Sequence, residues 1–519
     1  MAHTFYRVKR ETSQQFLFEP VPVERLELQS KEDLIEFIKL QQKVNDSIIK
    51  ENQRLRALSE ELKEQVLLIE DQYVTFKSKF FGKSSEREPA QAKDDQKGAA
   101  AAEKKVKIQL PSARYPNAPL IERQVELKEL PSCDCCGGKM KDSGLTEDSE
   151  YLTVIPRQYL IIRQKRHKYC CGKCHGSLKT APLPKRITPG SSLSDEMTID
   201  VAMSKYCDLI PIERYASMAA REGLKDLPPQ SLIESTHNLA DFVKPAFEKL
   251  KGEALQSKVL HADETPHRML EGDEKSNWYL WGFSTSKTSY FEIKNTRSGD
   301  VASELLSQSR CEFLVSDVFS GYAKAVRETN EFRRERSLKE IKNVYCNSHA
   351  RRKFKEAKEK FPEAQYFIDQ YKEIYRLEEQ IKEKPPDEVL RIRAQMIPIF
   401  ESIRLKALED CASYPAKSSL GKAFRYFLKN HQELTLFTEN VELPIDNNPQ
   451  ERLLRNPVIG RKTWYGTHSK RGAQTAAILF SLVESCKLNK INPREYFKNL
   501  AQDLLAGKEP YTPGSLKIN

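Results

Sequence analysis

Three rhythms of apolar and polar residues divide this chain. Over residues 31–80 the rhythm is helical and long. Ile48, Leu55, Leu62, Ile69 and Phe76 recur at a period of seven, and Asn52, Ser59, Val66, Tyr73 and Phe80 follow with the same period, offset by four. The first set occupies d and the second a, so the pattern predicts a coiled-coil helix over 31–82. Leucine and isoleucine at d with one asparagine at a favour a parallel pair in fixed register. The competing reading is an amphipathic helix packed on its own chain, and Ser59, Tyr73 and Phe80 suit a zipper poorly. Gly82, two serines and Pro89 in FFGKSSEREP (80–89) end the helix. The low-complexity stretch after it makes 83–108 a flexible linker.

The second rhythm has a period of two. It is clearest in YLTVIPRQYLIIRQKR (151–166) and predicts a small β module over 109–185. Helical spacing returns over 191–250. There IPIERYASMAAREGLKDLPPQSLIESTHNLADFV predicts a helix, a turn at Gly223 and a second helix from near Pro228–Pro229. That is a helix-turn-helix-like DNA-binding segment; two helices packed around a glycine is the plainer alternative.

The third rhythm alternates strands with helices. KVLHAD (258–263), NWYLWGF (277–283) and SYFEIKN (289–295) are strands, SGDVASELL (298–306) is a helix, and CEFLVSD (311–317) is a buried strand. SGYAKAVRE (320–328) is helical, NVYC (343–346) is a strand, and HARRKFKEAKEKF is a helix. The order is βββαβαβα, with Asp263 and Asp317 ending the first and fourth strands. In a ribonuclease-H-like fold those strands are neighbours, by analogy of topology. The Glu-, Lys- and Leu-rich stretch 354–440 reads as a helical insertion. It divides the catalytic core into a first part, 255–353, and a second, 441–505. The predicted class is multidomain α+β: coiled-coil helix, zinc-binding β module, helical segment, and ribonuclease-H-like α/β catalytic domain.

At 519 residues the chain is long enough for three or four such units. Its 85 Lys and Arg against 74 Asp and Glu leave a net charge of +11, which favours a polyanionic partner. Three clusters without an acid sharpen that inference: 161–175, 349–355 with Arg351 and Arg352, and 452–471 with Arg452, Arg455, Arg461 and Lys462. Each adjoins other chemical signals, so DNA phosphate is the expected contact. Trp464 and Tyr465 could stack on an exposed base. Neither a signal-peptide core nor an apolar run of membrane-spanning length is present, so a cytoplasmic, nucleoid-associated location is expected.

Eleven cysteines in a reducing compartment point to thiols or metal ligands. CDCC (133–136) and CCGKC (170–174) each contain a C-x-x-C, Cys133 with Cys136 and Cys171 with Cys174. Two such knuckles supply four thiolates for a structural Zn²⁺. Cys135, Cys170, His167 and His175 are further candidates for the ligand set.

Phosphoryl transfer assisted by Mg²⁺, or Mn²⁺ in its place, needs carboxylates that converge. Asp263 and Asp317 are two. The third lies in LPIDNNPQERLLRNPVIGRKTWYG (443–466), where Asn448 reads as the N-cap, Pro449 as the first helical residue and Glu451 as the third. Asn-x-x-Glu is also a capping-box pattern, and Asp446 is a rival ligand. Glu264 and His261 read as supporting residues. His349 reads either as a helix-capping residue or as a neighbour of the DNA backbone beside Arg351 and Arg352.

Taken together, HADETP (261–266), SDVFSGY (316–322), CNSHARRKF (346–354) and DNNPQERLLRNPVIGRKTW (446–464) resemble the blocks of insertion-sequence-66-type transposases. So do FFGKSSER (80–87), the paired knuckles and SKYCDLIPIERYASMAAREGL (204–224). The resemblance runs in order from about residue 34 to 500. It implies a DDE transposase with Asp263, Asp317 and Glu451 as catalytic triad and Mg²⁺ ligands. It further implies terminal inverted repeats bound by the zinc and helix-turn-helix regions, strand cleavage, and attack of a 3′-OH on target DNA. A homodimer or higher oligomer and small accessory transposition proteins are implied as partners. CDCC departs from the pattern by its crowded cysteines. The alternatives are a catalytically silent, transposon-derived DNA-binding protein and a ribonuclease-H-like nuclease without strand transfer.

Overall fold

Strand β1 (Phe5–Thr12) pairs antiparallel with β2 (Gln15–Val21) ahead of the long helix α1 (Lys31–Phe81). These come from a computed structural model that describes residues 5–12, 15–21, 31–81, 110–125, 131–132, 134–140, 148–155, 157–171, 178–270 and 277–516. The chain divides into two units, 1–84 with 240–519, and 85–239. The hairpin occupies the first thirty residues, to which the sequence pattern assigned no motif. The linker expected at 83–108 lies outside the described residues.

Two faces of α1 behave differently. Its inner face packs on its own unit: the buried Asp71 accepts hydrogen bonds from Ser419 N–H and Oγ–H (2.7 Å for the latter), and Lys360 Nζ reaches Leu67 O at 3.1 Å. The heptad seam points elsewhere, with Ile48, Leu55, Leu62, Val66, Ile69 and Tyr73 all exposed. The reading of a helix packed on its own chain therefore holds for the inner face, while the heptad seam is left exposed.

In the 85–239 unit, α2 (Pro111–Arg114) is one turn, and β3 (Lys168–Cys170) pairs antiparallel with β4 (Leu178–Thr180). The alternation over 151–166 forms no strand in its described residues, and Val154 and Ile161 are 81% and 98% exposed. Alternation specifies a strand only where a neighbour completes the ladder, and no described segment pairs with this one. Helix α3 (Asp195–Tyr206) is capped by Ser194 Oγ, which accepts Met197 N–H. Helix α4 (Ile212–Arg221) ends at Gly223, whose φ of +93° suits a residue without Cβ, and α5 (Pro229–Leu255) follows. Val201, Ile212, Tyr215 and Leu232 form the core of this helix–turn–helix.

The larger unit holds a five-stranded mixed sheet of order β7-β6-β5-β8-β9. Its strands are β5 (Val259–Arg268), β6 (Asn277–Ser284), β7 (Ser289–Lys294), β8 (Phe313–Ser316) and β9 (Lys342–Tyr345). The first three are antiparallel; β8 and β9 run parallel to β5, joined through α6 (Asp300–Ser307) and α7 (Ser320–Glu335). Helix α8 (Asn347–Ala357) leads to a helical body of α9 (Ala364–Glu379), α10 (Pro386–Ala394), α11 (Ile397–Cys411), α12 (Ser419–Lys429) and α13 (His431–Thr435). Phe354, Phe367, Tyr371, Phe400, Phe424 and Phe427 fill that body. The chain returns through α14 (Asn448–Trp464), α15 (Lys470–Leu488) and α16 (Pro493–Leu505). The apolar α15 lies on the edge strand β7. Its Ser481 and Ser485 hydroxyls accept Phe291 N–H (2.8 Å) and Ser289 N–H (2.9 Å), closing an edge that would otherwise offer free donors.

Candidate active site

Parallel pairing of β5 with β8 brings two aspartates level. Val259, Leu260 and His261 pair with Phe313, Leu314 and Val315. Two residues beyond the last pair stand Asp263 and Asp317, on one face of strands about 4.8 Å apart. Glu451 arrives from the first turn of α14, which packs over β5 and β6. Gly282, the partner of Asp263 on β6, makes room for that helix; a Cβ there would collide with the Gln450 amide and press on Phe291.

Burial and neighbouring acids raise both aspartates. Burial, then Glu264, Asp317 and Glu451, push Asp263 up to about 8. Asp317 is also raised, by burial and Glu264, against the pull of His349 and Arg297. Asp317 Oδ1 is buried without a hydrogen-bond partner among the described residues. Acids that repel each other with a buried oxygen unused fit a divalent cation. They do not close around a single point, however. The three ligand atoms that do lie within 4.8 Å of one another among the described residues belong to Cys346, His349 and Glu451.

Neighbouring acids are engaged elsewhere. Glu264 Oε1 accepts Arg297 Nε–H and Nη2–H at 2.9 and 2.7 Å, and Oε2 accepts Tyr322 O–H at 2.6 Å. Asp446 accepts Asn448 N–H, Asn448 Nδ2–H and Tyr375 O–H at 3.1, 2.6 and 3.2 Å. The expected N-cap shifts by one residue: α14 starts at Asn448, and Asn447 occupies the cap without a side-chain cap bond. Its side chain serves a longer-range purpose. Oδ1 accepts His261 Nδ1–H (2.8 Å), Nδ2 donates to Ala262 O (2.8 Å), and the backbone N–H points at Cys346 Sγ (3.2 Å). One buried asparagine thus ties the Asp263 strand, the end of β9 and the Glu451 helix together.

The basic residues surround this centre unevenly. Arg461 Nη1 reaches Thr265 Oγ1 at 3.3 Å, beside the carboxylates. Arg452, Arg455 and Lys462 are exposed along α14, while Arg351 and Arg352 are half-buried on α8, the former over the Tyr375 ring. Trp464 stacks on Phe480 and closes over Gly460; Tyr465 is the exposed aromatic. Of the knuckle cysteines, Cys136 is exposed and Cys171 half-buried, while Cys133 and Cys174 lie outside the described residues. FFGKSSER also runs outside them after Phe81.

The profile of the Transposase IS66 family matches residues 190–475, from just before α3 to the first turn of α15, and so spans all three carboxylates. The chain belongs to the IS66 transposase family. It is also similar to proteins of Sinorhizobium fredii that carry only the name uncharacterized protein. To y4hP it is 26% identical over 407 residues, 73% of this chain and 72% of that one. To y4jD it is 24% identical over 392 residues, 73% and 76% of the two chains.

Several residues of this IS66 transposase escaped the sequence reading. Asn447 was hidden beside the expected cap. Arg297, which holds Glu264, carries no local signal, and Tyr322, its other partner, closes the SDVFSGY block without a role that the pattern assigns. Cys346 did have one: with His349 it forms C-x-x-H, the spacing of a metal-ligand pair. Helix α8 begins just after Cys346, which occupies its N-cap position.

Proposed function

We propose that this IS66 family member is a DNA transposase that binds the terminal inverted repeats of its element, cuts there in a metal-dependent reaction, and joins the 3′-OH to target DNA. The reading rests chiefly on one observation: Asp263 and Asp317 stand level at the end of the β5–β8 pair with Glu451 close enough to raise the proton affinity of both. These residues would hold Mg²⁺ or Mn²⁺; the engagement of Asp446 with Asn448 and Tyr375 favours Glu451 as the third ligand. Bound ions would supply activation of the attacking oxygen and stabilisation of the leaving one. Asn447 and the Arg297–Glu264–Tyr322 group hold the carboxylates in place. Arg452, Arg455, Lys462, Arg351 and Arg352 contact phosphates, and Arg461 guards the edge of the carboxylate pocket. The catalytic unit is read as ribonuclease-H-like with a helical insertion. Residues 109–185 are read as a zinc module with Cys133, Cys136, Cys171 and Cys174, and α4–α5 as the repeat-reading pair. The exposed seam of α1 pairs with the same seam of a second copy.

The test is cleavage and joining of labelled terminal-repeat DNA with Mg²⁺, comparing wild type with Asp317→Asn and Glu451→Gln. Specific nicking and strand joining, lost in both variants with DNA binding retained, supports the reading. Nicking without joining would make the protein a nuclease. Binding without any cut would make it a silent DNA-binding protein.

A further inference from the structure

Among the described residues, the metal-ligand side chains gathered within 4.8 Å of one another are not the carboxylates of the triad. Cys346, at the end of β9, His349, in the first turn of α8, and Glu451, on α14, bring a sulfur, a nitrogen and an oxygen within 4.8 Å of one another. His349 Nδ1 lies 3.6 Å from Glu451 Oε1, close to the ~3.3–3.5 Å nitrogen–oxygen edge of a tetrahedron with zinc-length bonds. We propose that Cys346, His349 and Glu451 form a second metal site, for a thiophilic ion of the Zn²⁺ class, that shares Glu451 with the carboxylate triad.

The donors select the ion. Thiolate and imidazole favour Zn²⁺ over Mg²⁺, which takes oxygen. Three protein ligands leave the fourth position for water, the pattern of an open rather than a structural site. The surroundings are those of a ligating sulfur. Cys346 Sγ accepts the Asn447 backbone N–H at 3.2 Å. N–H groups aimed at sulfur orient a thiolate and stabilise its charge. Cys346 is buried, but the His349 and Glu451 side chains are 28% and 29% exposed, so an ion can enter from their side. On binding, the Cys346 thiol loses its proton to solvent.

The site has a consequence for the reaction. An ion held by Cys346 and His349 draws Glu451 away from Asp263 and Asp317, so zinc should inhibit Mg²⁺-dependent cleavage. This second step rests on the proposed role of Glu451; the existence of the site does not.

The experiment uses the full chain with its zinc module loaded, titrated with Co²⁺. Wild type should take up one more equivalent than Cys346→Ser, with a near-ultraviolet thiolate-to-cobalt band that the variant lacks. Serine is close to cysteine in size and shape but is a poor soft ligand. His349→Ala should weaken the extra equivalent by at least about tenfold with the thiol still present, which covers the case of a serine variant that misfolds. Equal uptake and identical spectra in wild type and both variants would overturn the site. Zinc inhibition is then measured for each protein relative to its own zinc-free rate. Cys346→Ser should resist zinc that stops wild type; equal sensitivity would overturn the sharing of Glu451. If no protein cuts DNA under any condition, the transposase reading fails, and the cobalt spectra still decide the site.

Discussion

Replacing Asp263 with asparagine should stabilise the magnesium-free protein, and more so as pH rises. Burial and three acidic neighbours push Asp263 up to about 8 from an ordinary 3.8. In the unfolded chain the group ionises near its ordinary value, so between those limits the folded state holds a proton that the unfolded state has lost. Stability contributed by this group therefore falls as pH climbs from about 4 to about 8, then levels off. At ~1.4 kcal/mol per pH unit, the carboxyl costs about 3 kcal/mol at pH 6 and about 5 kcal/mol at pH 8. These are upper values, because water entering the site relaxes part of the repulsion. Asparagine mimics the protonated acid and can still accept the Glu264 N–H that now bonds Asp263 Oδ1 at 2.9 Å. The variant should thus gain on wild type by about 2 kcal/mol between pH 6 and pH 8.

Fluorescence isolates the relevant unit, because Trp278, Trp281 and Trp464 are the chain's 3 tryptophans and all belong to it. Thermal unfolding followed at the indole bands, in buffer free of Mg²⁺ and Mn²⁺ with zinc left bound, should show the midpoint gap widening by about 4 °C over that range. Adding Mn²⁺ should stabilise wild type increasingly up to pH 8 and Asp263→Asn hardly at all, since the ion competes with the proton. A gap that is flat with pH, or a variant less stable than wild type throughout, would refute the claim that burial and acidic neighbours raise Asp263 in this site.

Asn447→Ala removes two buried hydrogen bonds and leaves His261 Nδ1–H and Ala262 O unpaired; it should cost about 2–5 kcal/mol in the tryptophan-monitored midpoint. It should also slow cleavage about 100-fold, with DNA binding retained, by loosening Glu451 against Asp263. Gly282→Ala forces a methyl against Gln450 and Phe291, so denaturant titration should reveal a loss of about 1–3 kcal/mol together with weakened Mn²⁺ stabilisation. Arg333, 4% exposed, donates to the carbonyls of Leu306, Ser309 and Cys311 ahead of β8 and of Lys339 ahead of β9. Arg333→Ala strands those acceptors and should lose about 3–5 kcal/mol, and Arg333→Lys should recover only part of it. Leu55→Asp with Leu62→Asp should leave the tryptophan-monitored transition unchanged and, if the α1 seam pairs two copies, lower the sedimentation mass.

Strand order was legible because each strand of the sheet writes its own local apolar run, and Asp263 and Asp317 could be placed by counting along two such runs. The alternation over 151–166 fails by the same logic. It describes half of a ladder, and the other half must come from elsewhere in the chain. The α1 heptads were legible as a helix, but the inner face was not. Asp71 and Ser419, which join it to the helical body, are 348 residues apart. The centre of the site is harder still. His261 meets Asn447 across 186 residues, and nothing in either neighbourhood announces the other. Around α14 the local signal pointed the wrong way. Asn-x-x-Glu is a helix start whose glutamate folds back on its cap, yet the cap lies one residue earlier. That single-residue shift changes what each side chain can do. Asn448 binds Asp446, Asn447 is released to clamp β5, and Glu451 is turned toward His349. Capping rules price each residue by the bonds it can make within one turn. In a site assembled from three elements, the longer-range bonds win because they satisfy buried groups that have no other partner. Polar residues clustered at a helix start beside a strand-end acid are therefore better read as a junction between elements than as a cap.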